Sequence, residues 1–234
     1  MNQAVITYGP PGAGKGTQAD LLVRRFGFTH FDTGRYLENL FNSPAAAKNP
    51  ELKKEKINFD TGRLCTPAWV LKTVSAGAER IARGGSSIVF SGSPRTVFEA
   101  FGDNKSRGLT DLLAELYGRD NISVIYIDIK STSSLKRNSN RLICSFCGLP
   151  ALSNGKSLDL KEIGRRRCVF CGASMKRRTL DDPAVVKFRW QEYKNRTYPI
   201  ISLMKKKKIR VFKIDGEKSP FEVSQRISSL LKLK

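Results

Sequence analysis

Ala4-Val5-Ile6-Thr7-Tyr8-Gly9-Pro10-Pro11-Gly12-Ala13-Gly14-Lys15-Gly16-Thr17 is the stretch that decides the fold. Its first five residues form a short β-rich run, and beyond Thr17 a helical pattern sets Leu21, Leu22 and Phe26 on one face before closing at Gly27. Between strand and helix, Gly9 to Lys15 fits G-x-x-x-x-G-K; Gly16 follows, and the hydroxyl comes one residue later at Thr17. Glycines let backbone N–H groups converge on phosphate oxygens, and a helix N-terminus adds positive potential. Gly12, Ala13, Gly14, Lys15, Gly16 and Thr17 are therefore expected to cradle phosphate, with Lys15 on the outer groups.

Outward from this motif, further β-rich runs lie near residues 28–31, 88–91, 124–129 and 209–214. Helical patterns lie near 67–83, 106–117, 131–141, 184–204 and 219–232. Strands alternating with helices predict a parallel sheet covered on both faces. Two insertions interrupt the alternation, at 33–62 and 141–178, leaving 1–32, 63–140 and 179–234 as the core.

The chain has 234 residues, with 42 Lys/Arg against 21 Asp/Glu, a formal net charge of +21 and 40% hydrophobic residues. That composition is globular. No apolar run approaches 18 residues, so no membrane span is expected. Met1–Val5 lacks a basic n-region and a following apolar stretch, so no secretory signal and a cytoplasmic location are expected. Residues 141–178 hold nine Lys/Arg and two Asp/Glu, and residues 187–213 hold ten Lys/Arg and one Glu. Such excess implies a polyanionic partner: nucleotide phosphates, RNA, DNA or an anionic surface. The run Lys205–Lys208 reads either as a nucleic-acid patch or as a solvated helix end, where cations suit the helix dipole.

Four of the five cysteines form Cys144-x-x-Cys147 and Cys168-x-x-Cys171, each pair followed by Gly and separated by a 20-residue spacer. Two such knuckles present four thiolates to one tetrahedral Zn²⁺, the rival being two disulfides. With no position left for water, the site reads as structural. Cys65 follows Leu64 in an apolar stretch and reads as packing.

The segment Gly9–Gln18 resembles the opening of adenylate kinases and related nucleoside monophosphate kinases. Asp32-Thr33-Gly34, Thr61-Gly62-Arg63-Leu64, Gly92-Ser93-Pro94-Arg95-Thr96, Arg137-x-x-x-Arg141, Arg178 with Arg189, and Ile214-Asp215-Gly216 agree with that family in order and near spacing. The resemblance implies a five-stranded α/β fold of P-loop NTPase type, in order 2-3-1-4-5. It also implies an NMP-binding insertion at 33–62 and a zinc-bearing mobile lid at 141–178. The expected activity is reversible phosphoryl transfer from Mg·ATP to AMP, with Mg²⁺ and structural Zn²⁺ as metals and a monomeric state.

By the same resemblance, the cradle with Arg137, Arg141 and Lys218 holds ATP. Thr33, Gly34, Phe59, Arg63, Leu64, Cys65, Gly92, Arg95, Glu99, Arg178 and Arg189 hold AMP, and Lys15, Arg95, Arg137, Arg178 and Arg189 serve transfer. Guanidinium groups grip phosphate oxygens bidentately, as Lys cannot. A flap carrying Arg165-Arg166-Arg167 and Lys176-Arg177-Arg178 would close as a unit, still about +5 with zinc and four thiolates counted.

Three positions depart from the family pattern. Ser91 stands where an Asp orders Mg²⁺-bound water, with Asp128 a carboxylate at a later strand end. Glu38 stands where an Arg grips the acceptor phosphate, three residues after Arg35, a charge swap that reads as phosphate contact or as a surface pair. Glu99 stands where Gln reads adenine, which raises GMP, UMP or CMP as acceptor. The lone His30 reads as packing or surface. A zinc-ribbon nucleic-acid binder, or an inactive scaffold, is the reading of different class. Phe146 and Phe170, isolated in the lid, lack the interleaving that stacks bases.

Overall fold

The computed structural model describes residues 2–151 and 166–233, so Arg165 of the lid's triple-arginine run lies outside the described residues. The first half runs β1 (Ala4–Tyr8), α1 (Lys15–Phe26), β2 (Thr29–Asp32), α2 (Thr33–Phe41), α3 (Pro50–Asp60), α4 (Pro67–Arg83) and β3 (Ile88–Ser91). After these come α5 (Val97–Phe101), α6 (Leu109–Tyr117), β4 (Ile122–Asp128), α7 (Ser131–Ser139) and the lid strands β5 (Ile143–Cys144) and β6 (Met175–Lys176). The chain closes with α8 (Pro183–Glu192), α9 (Tyr198–Lys206), β7 (Arg210–Asp215) and α10 (Pro220–Leu230).

The main sheet is parallel and ordered β2-β3-β1-β4-β7, the expected 2-3-1-4-5. Alternation along β1 divides the core. Ala4, Ile6 and Tyr8 face one layer with α4, α6 and α9, and Val5 faces the other with α1 and α10. Ile6, Val5, Ile125 and Phe90 are fully buried. Each such side chain contributes roughly 1.5–3 kcal/mol relative to exposure, so the sheet is the rigid part of the molecule.

Local chemistry fixes the element ends. Gly27 closes α1 in the left-handed region (φ 68). Pro67 and Pro220 occupy first turns, where no intrahelical N–H is missed, and Ser219 with Glu222 forms a capping box on α10. Inside α4, a Cβ at Gly77 would fall 2.2 Å from the Phe31 ring, so glycine lets α4 lie against β2.

The helical pattern over 184–204 is broken. Between α8 and α9, Tyr193–Thr197 forms a π-helical turn. Pro199 has no N–H to continue the ladder, which favours the wider turn. The insertion at 33–62 holds α2 and α3, and Glu55 ties α3 to the start of α4. Glu55 is 2% exposed and accepts from the Thr66 N–H (2.8 Å) and the Thr66 hydroxyl. Burial opposes ionisation of Glu55, but the Thr66 bonds prevail and its carboxyl is held below the usual range.

Candidate active site

The cradle follows from strained backbone that only glycine tolerates. Gly9 and Gly12 have φ 150 and 77, and a Cβ at either would meet Ile127 O at 2.4 Å or Asn138 Nδ2 at 2.6 Å. Gly14 caps α1 at φ 92 with no side-chain cap bond and no acidic residue in the first turn. The first N–H groups of α1 are thus left for an anion. Lys15 Nζ donates to Gly9 O and Pro10 O, both at 2.8 Å, which folds the ammonium back over the loop.

Lys15 faces a cluster of cations. Burial, then Arg95, Arg189 and Arg141, hold its pKa well below the ordinary lysine range, against the pull of Asp32. Burial likewise weighs on Arg189, along with Arg95, Arg141 and Arg178. A guanidinium keeps its proton, so this is electrostatic stress that a polyanion relieves.

Each arginine is aimed by a partner. Arg95 Nε donates to Gly92 O (2.8 Å) and Arg189 to Leu180 O (3.1 Å). Arg141 forks onto Asp181, with Nε 2.8 Å from Oδ2. Arg137 donates to Gly216 O (2.8 Å) and to Gly12 O (3.5 Å), which links α7 to the cradle and to the end of β7. Lys218 is exposed just beyond Glu217, which with Arg137 and Arg141 lines a depression beside the cradle.

Two spaces meet at Arg95. The larger is a cleft of about 1180 Å³, counting its open mouth, whose walls carry Gly12, Gly14, Lys15, Gly16, Thr17, Arg141, Arg178 and Arg189. The smaller, about 370 Å³, is lined by Thr33, Gly34, Phe59, Arg63, Leu64, Cys65, Gly92, Arg95 and Glu99, together with Leu37, Val70 and Ser93. Gly34, Phe59, Arg63, Gly92 and Arg95 line both, so the two spaces adjoin along these residues. Burial and Glu55 push the Cys65 thiol up to about 12, which leaves it inert packing.

The departing residues have definite surroundings. Glu99 is 3% exposed. Its carboxylate accepts from Arg95 N–H (2.9 Å) and the Thr96 hydroxyl (3.0 Å), while its own N–H donates to Thr96 Oγ1 (3.2 Å). It is a helix-capping residue on the floor of the smaller space.

Among the described residues Arg35 and Glu38 form no ion pair with each other. Glu38 faces Arg178 at 3.9 Å, and Arg35 donates to Cys147 O at 3.3 Å, so both contact the lid. Asp128 accepts from Tyr126 OH (2.7 Å) and pairs with Lys213 (2.8 Å), away from the cleft wall. His30, read as packing or surface, instead bridges two cleft residues. Its Nδ1 lies 2.8 Å from Asp20 Oδ1 and its Nε2 lies 2.6 Å from Ser91 Oγ.

The four lid cysteines come together. Their Sγ atoms lie within 4.8 Å of one another, with Cys144–Cys171 at 3.4 Å and Cys147–Cys168 at 3.6 Å. These are spacings of ligands around one ion, far longer than a 2.05 Å disulfide. Gly148 and Gly172 (φ 71 and 73) turn the chain beneath, and the N–H groups of Phe146 and Cys147 point at Cys144 Sγ (3.4 Å each). Four soft sulfurs and no water position suit Zn²⁺. Among the described residues around them Leu142, Cys144, Cys168 and Met175 form a small buried cluster, with Phe146, Val169 and Phe170 exposed.

Sequence reasoning missed Asp20, Asp181 and the His30 bridge. Asp181 and Asp182 precede a helix-starting Pro, a signal for capping but not for a partner at Arg141, just beyond α7.

The family model described as adenylate kinase matches residues 7–209. The chain is similar to an adenylate kinase of Petrotoga mobilis, 31% identical over 229 residues and covering 97% of both chains. It is 30% identical to that of Erythrobacter litoralis, covering 97% of this chain and 99% of the relative. It is 32% identical to that of Pelobacter propionicus, covering 97% and 96%.

Proposed function

The chain belongs to the adenylate kinase family and is a nucleoside monophosphate kinase, a phosphotransferase, and on that premise we propose that it moves the terminal phosphoryl group of ATP reversibly to AMP. The observation that supports this most is that the two spaces adjoin at Arg95 and Gly92. A donor phosphate on the cradle and an acceptor phosphate in the smaller space would meet there, without a covalent enzyme intermediate.

In this reading an acceptor phosphate oxygen attacks the terminal phosphorus, the bond to the bridging oxygen breaks, and ADP leaves from the cradle. Lys15 and the loop amides hold donor oxygens. Arg95, Arg178 and Arg189 neutralise the transferring group, and Arg137, Arg141 and Lys218 flank the donor nucleotide. Thr33, Gly34, Phe59, Arg63, Leu64 and Cys65 enclose the acceptor. Planar donors around a spread charge are what a loose phosphoryl transition state needs. Glu99 is a structural residue here: both its oxygens are engaged by the protein, and it holds the backbone of Arg95.

The cleft wall supplies oxygen donors from Thr17, Asp32 and Ser91, the donor type that suits Mg²⁺. Magnesium bound there with ATP would offset phosphate charge. Cys144, Cys147, Cys168 and Cys171 would hold Zn²⁺, tying the lid together without joining the chemistry. Residues 33–62 and 141–178 then act as acceptor-binding and lid units on a core of 1–32, 63–140 and 179–234. Unpaired thiols suit a reducing compartment such as the cytoplasm, and no helix among the described residues is long and apolar enough to cross a membrane. We take the monomer as the working unit.

The test is diphosphate production from Mg·ATP with AMP, GMP, UMP, CMP or no acceptor. Turnover with AMP alone supports the reading. Turnover with another monophosphate reassigns the acceptor, and none with any acceptor overturns it.

A further inference from the structure

Ser91 ends β3, His30 lies on the neighbouring strand β2, and Asp20 projects from α1. Ser91 is 5% exposed and the His30 side chain 12%, while Asp20 is 47% exposed at the outer end of the chain of bonds. Asp20 and Ser91 both line the cleft that holds Lys15 and Thr17. The bonds run Asp20 Oδ1 to His30 Nδ1 at 2.8 Å, then His30 Nε2 to Ser91 Oγ at 2.6 Å.

Asp20 fixes one proton position, and in the neutral imidazole that leaves the other nitrogen bare. A carboxylate only accepts, so it selects the imidazole tautomer with a proton on Nδ1. The bare Nε2 then accepts the Ser91 hydroxyl proton. A free serine hydroxyl can donate to a phosphate oxygen or accept from water. With its proton committed to His30, Ser91 offers the cleft only oxygen lone pairs, as a carboxylate would. Metal-bound water is a donor and needs such an acceptor.

We infer that Asp20 and His30 are positioning residues that make Ser91 an acceptor-only group, by which this chain orients the water around the divalent cation carried with ATP. This rests on the kinase reading given above. It explains how a neutral side chain can stand at a position where the family resemblance places a carboxylate. Asp32, the strand neighbour of Ser91 in register, supplies a direct negative charge on the same wall. Asp20 supplies one at the remote end of the relay.

His30 is the only histidine, so its ring nitrogens are an unambiguous reporter in the full chain. Nitrogen NMR of the ¹⁵N-histidine-labelled protein should show a protonated Nδ1 and a bare Nε2, and Asp20→Ala should erase that preference. Adding Mn²⁺ to the ATP complex should broaden the His30 signals strongly, whereas ATP alone should not. Electron paramagnetic resonance should show Mn²⁺ affinity for the ATP complex falling about tenfold in His30→Ala, the scale of losing an outer-shell partner. Ser91→Asp placed in the His30→Ala background should restore most of that affinity, because a carboxylate needs no relay.

A proton on Nε2 in the wild-type protein overturns the inference. So does unchanged Mn²⁺ affinity in folded His30→Ala, or failure of the added Asp to rescue it. If Asp32→Asn alone reproduces the loss while His30→Ala does not, the orienting group is Asp32 and the relay is wrong. If the relay signals and the metal effect appear but no monophosphate is phosphorylated, the relay stands and the kinase reading fails.

Discussion

The cradle and the lid are two ways of holding residues in place. The cradle sits at the end of β1, the central strand, between two apolar layers; Gly9 lies against Ile127 of β4 and Gly12 against Asn138 of α7, with no room for a Cβ at either. Among its described residues the 141–178 segment has a two-stranded ribbon and four buried residues, two of them cysteines. Hydrophobic burial fixes the first. Among the described residues of the second that burial is small, and in the proposed reading a metal held by four sulfurs would take its place. In the proposed reading the difference separates roles: the sheet holds the phosphate cradle in place, while a small tied flap covers the phosphates and brings Arg178 to them.

The largest expected effect lies where the two regions meet. Arg189 stands on α8 just after the lid and points into the cleft. Arg189→Ala should lower kcat by roughly 10³–10⁵, with Arg189→Lys recovering little because an ammonium lacks the planar fork. Steady-state kinetics with AMP decides it. A loss below tenfold would mean that lid closure, not this guanidinium, carries the transition-state charge.

A pair of variants separates the two regions by stability. Gly77→Ala forces a methyl into the Phe31 ring and should cost the core about 1–3 kcal/mol. Cys168→Ser should leave the denaturant midpoint of the core in place and expose the lid to protease. If both variants shift the same single transition equally, the lid and sheet are one cooperative unit.

Protons report on the cradle alone. Burial and neighbouring arginines depress the pKa of Lys15 in the free protein, and phosphate should raise it again. ATP binding should therefore take up protons at alkaline pH. Affinity is complete below the depressed free-state value and is lost as pH rises from it towards the bound-state value. Calorimetry in two buffers of different ionisation enthalpy measures the uptake; release of protons instead would contradict it.

The smallest effect is expected at Glu99→Gln. Because both carboxylate oxygens serve the protein, the AMP-to-GMP preference should move by less than about threefold, under 1 kcal/mol. A switch of preferred base would restore Glu99 as the specificity residue.

What the sequence made legible follows from range. The cradle, the helix over 67–83 and the cysteine knuckles are local patterns, written within a few residues of themselves. The sheet order was legible through a resemblance that spans the chain. The relay was hidden because Ser91 and His30 are 61 positions apart, and only parallel pairing of β2 with β3 brings them together. Glu38 and Arg178 are 140 positions apart, so in the sequence Glu38 reads against the nearby Arg35 or a phosphate contact and not against the lid. The π turn at Tyr193–Thr197 escaped because its residues keep helical periodicity on both sides.

The most direct measurement of the division between sheet and thiolates is differential scanning calorimetry of the zinc-loaded protein, before and after chelation, with ADP production followed in parallel. The expected result is a low-temperature transition that disappears on chelation together with most of the activity, while the main transition stays within a degree or two. A main transition that collapses with the metal, or a lid and an activity that survive its removal, would contradict it.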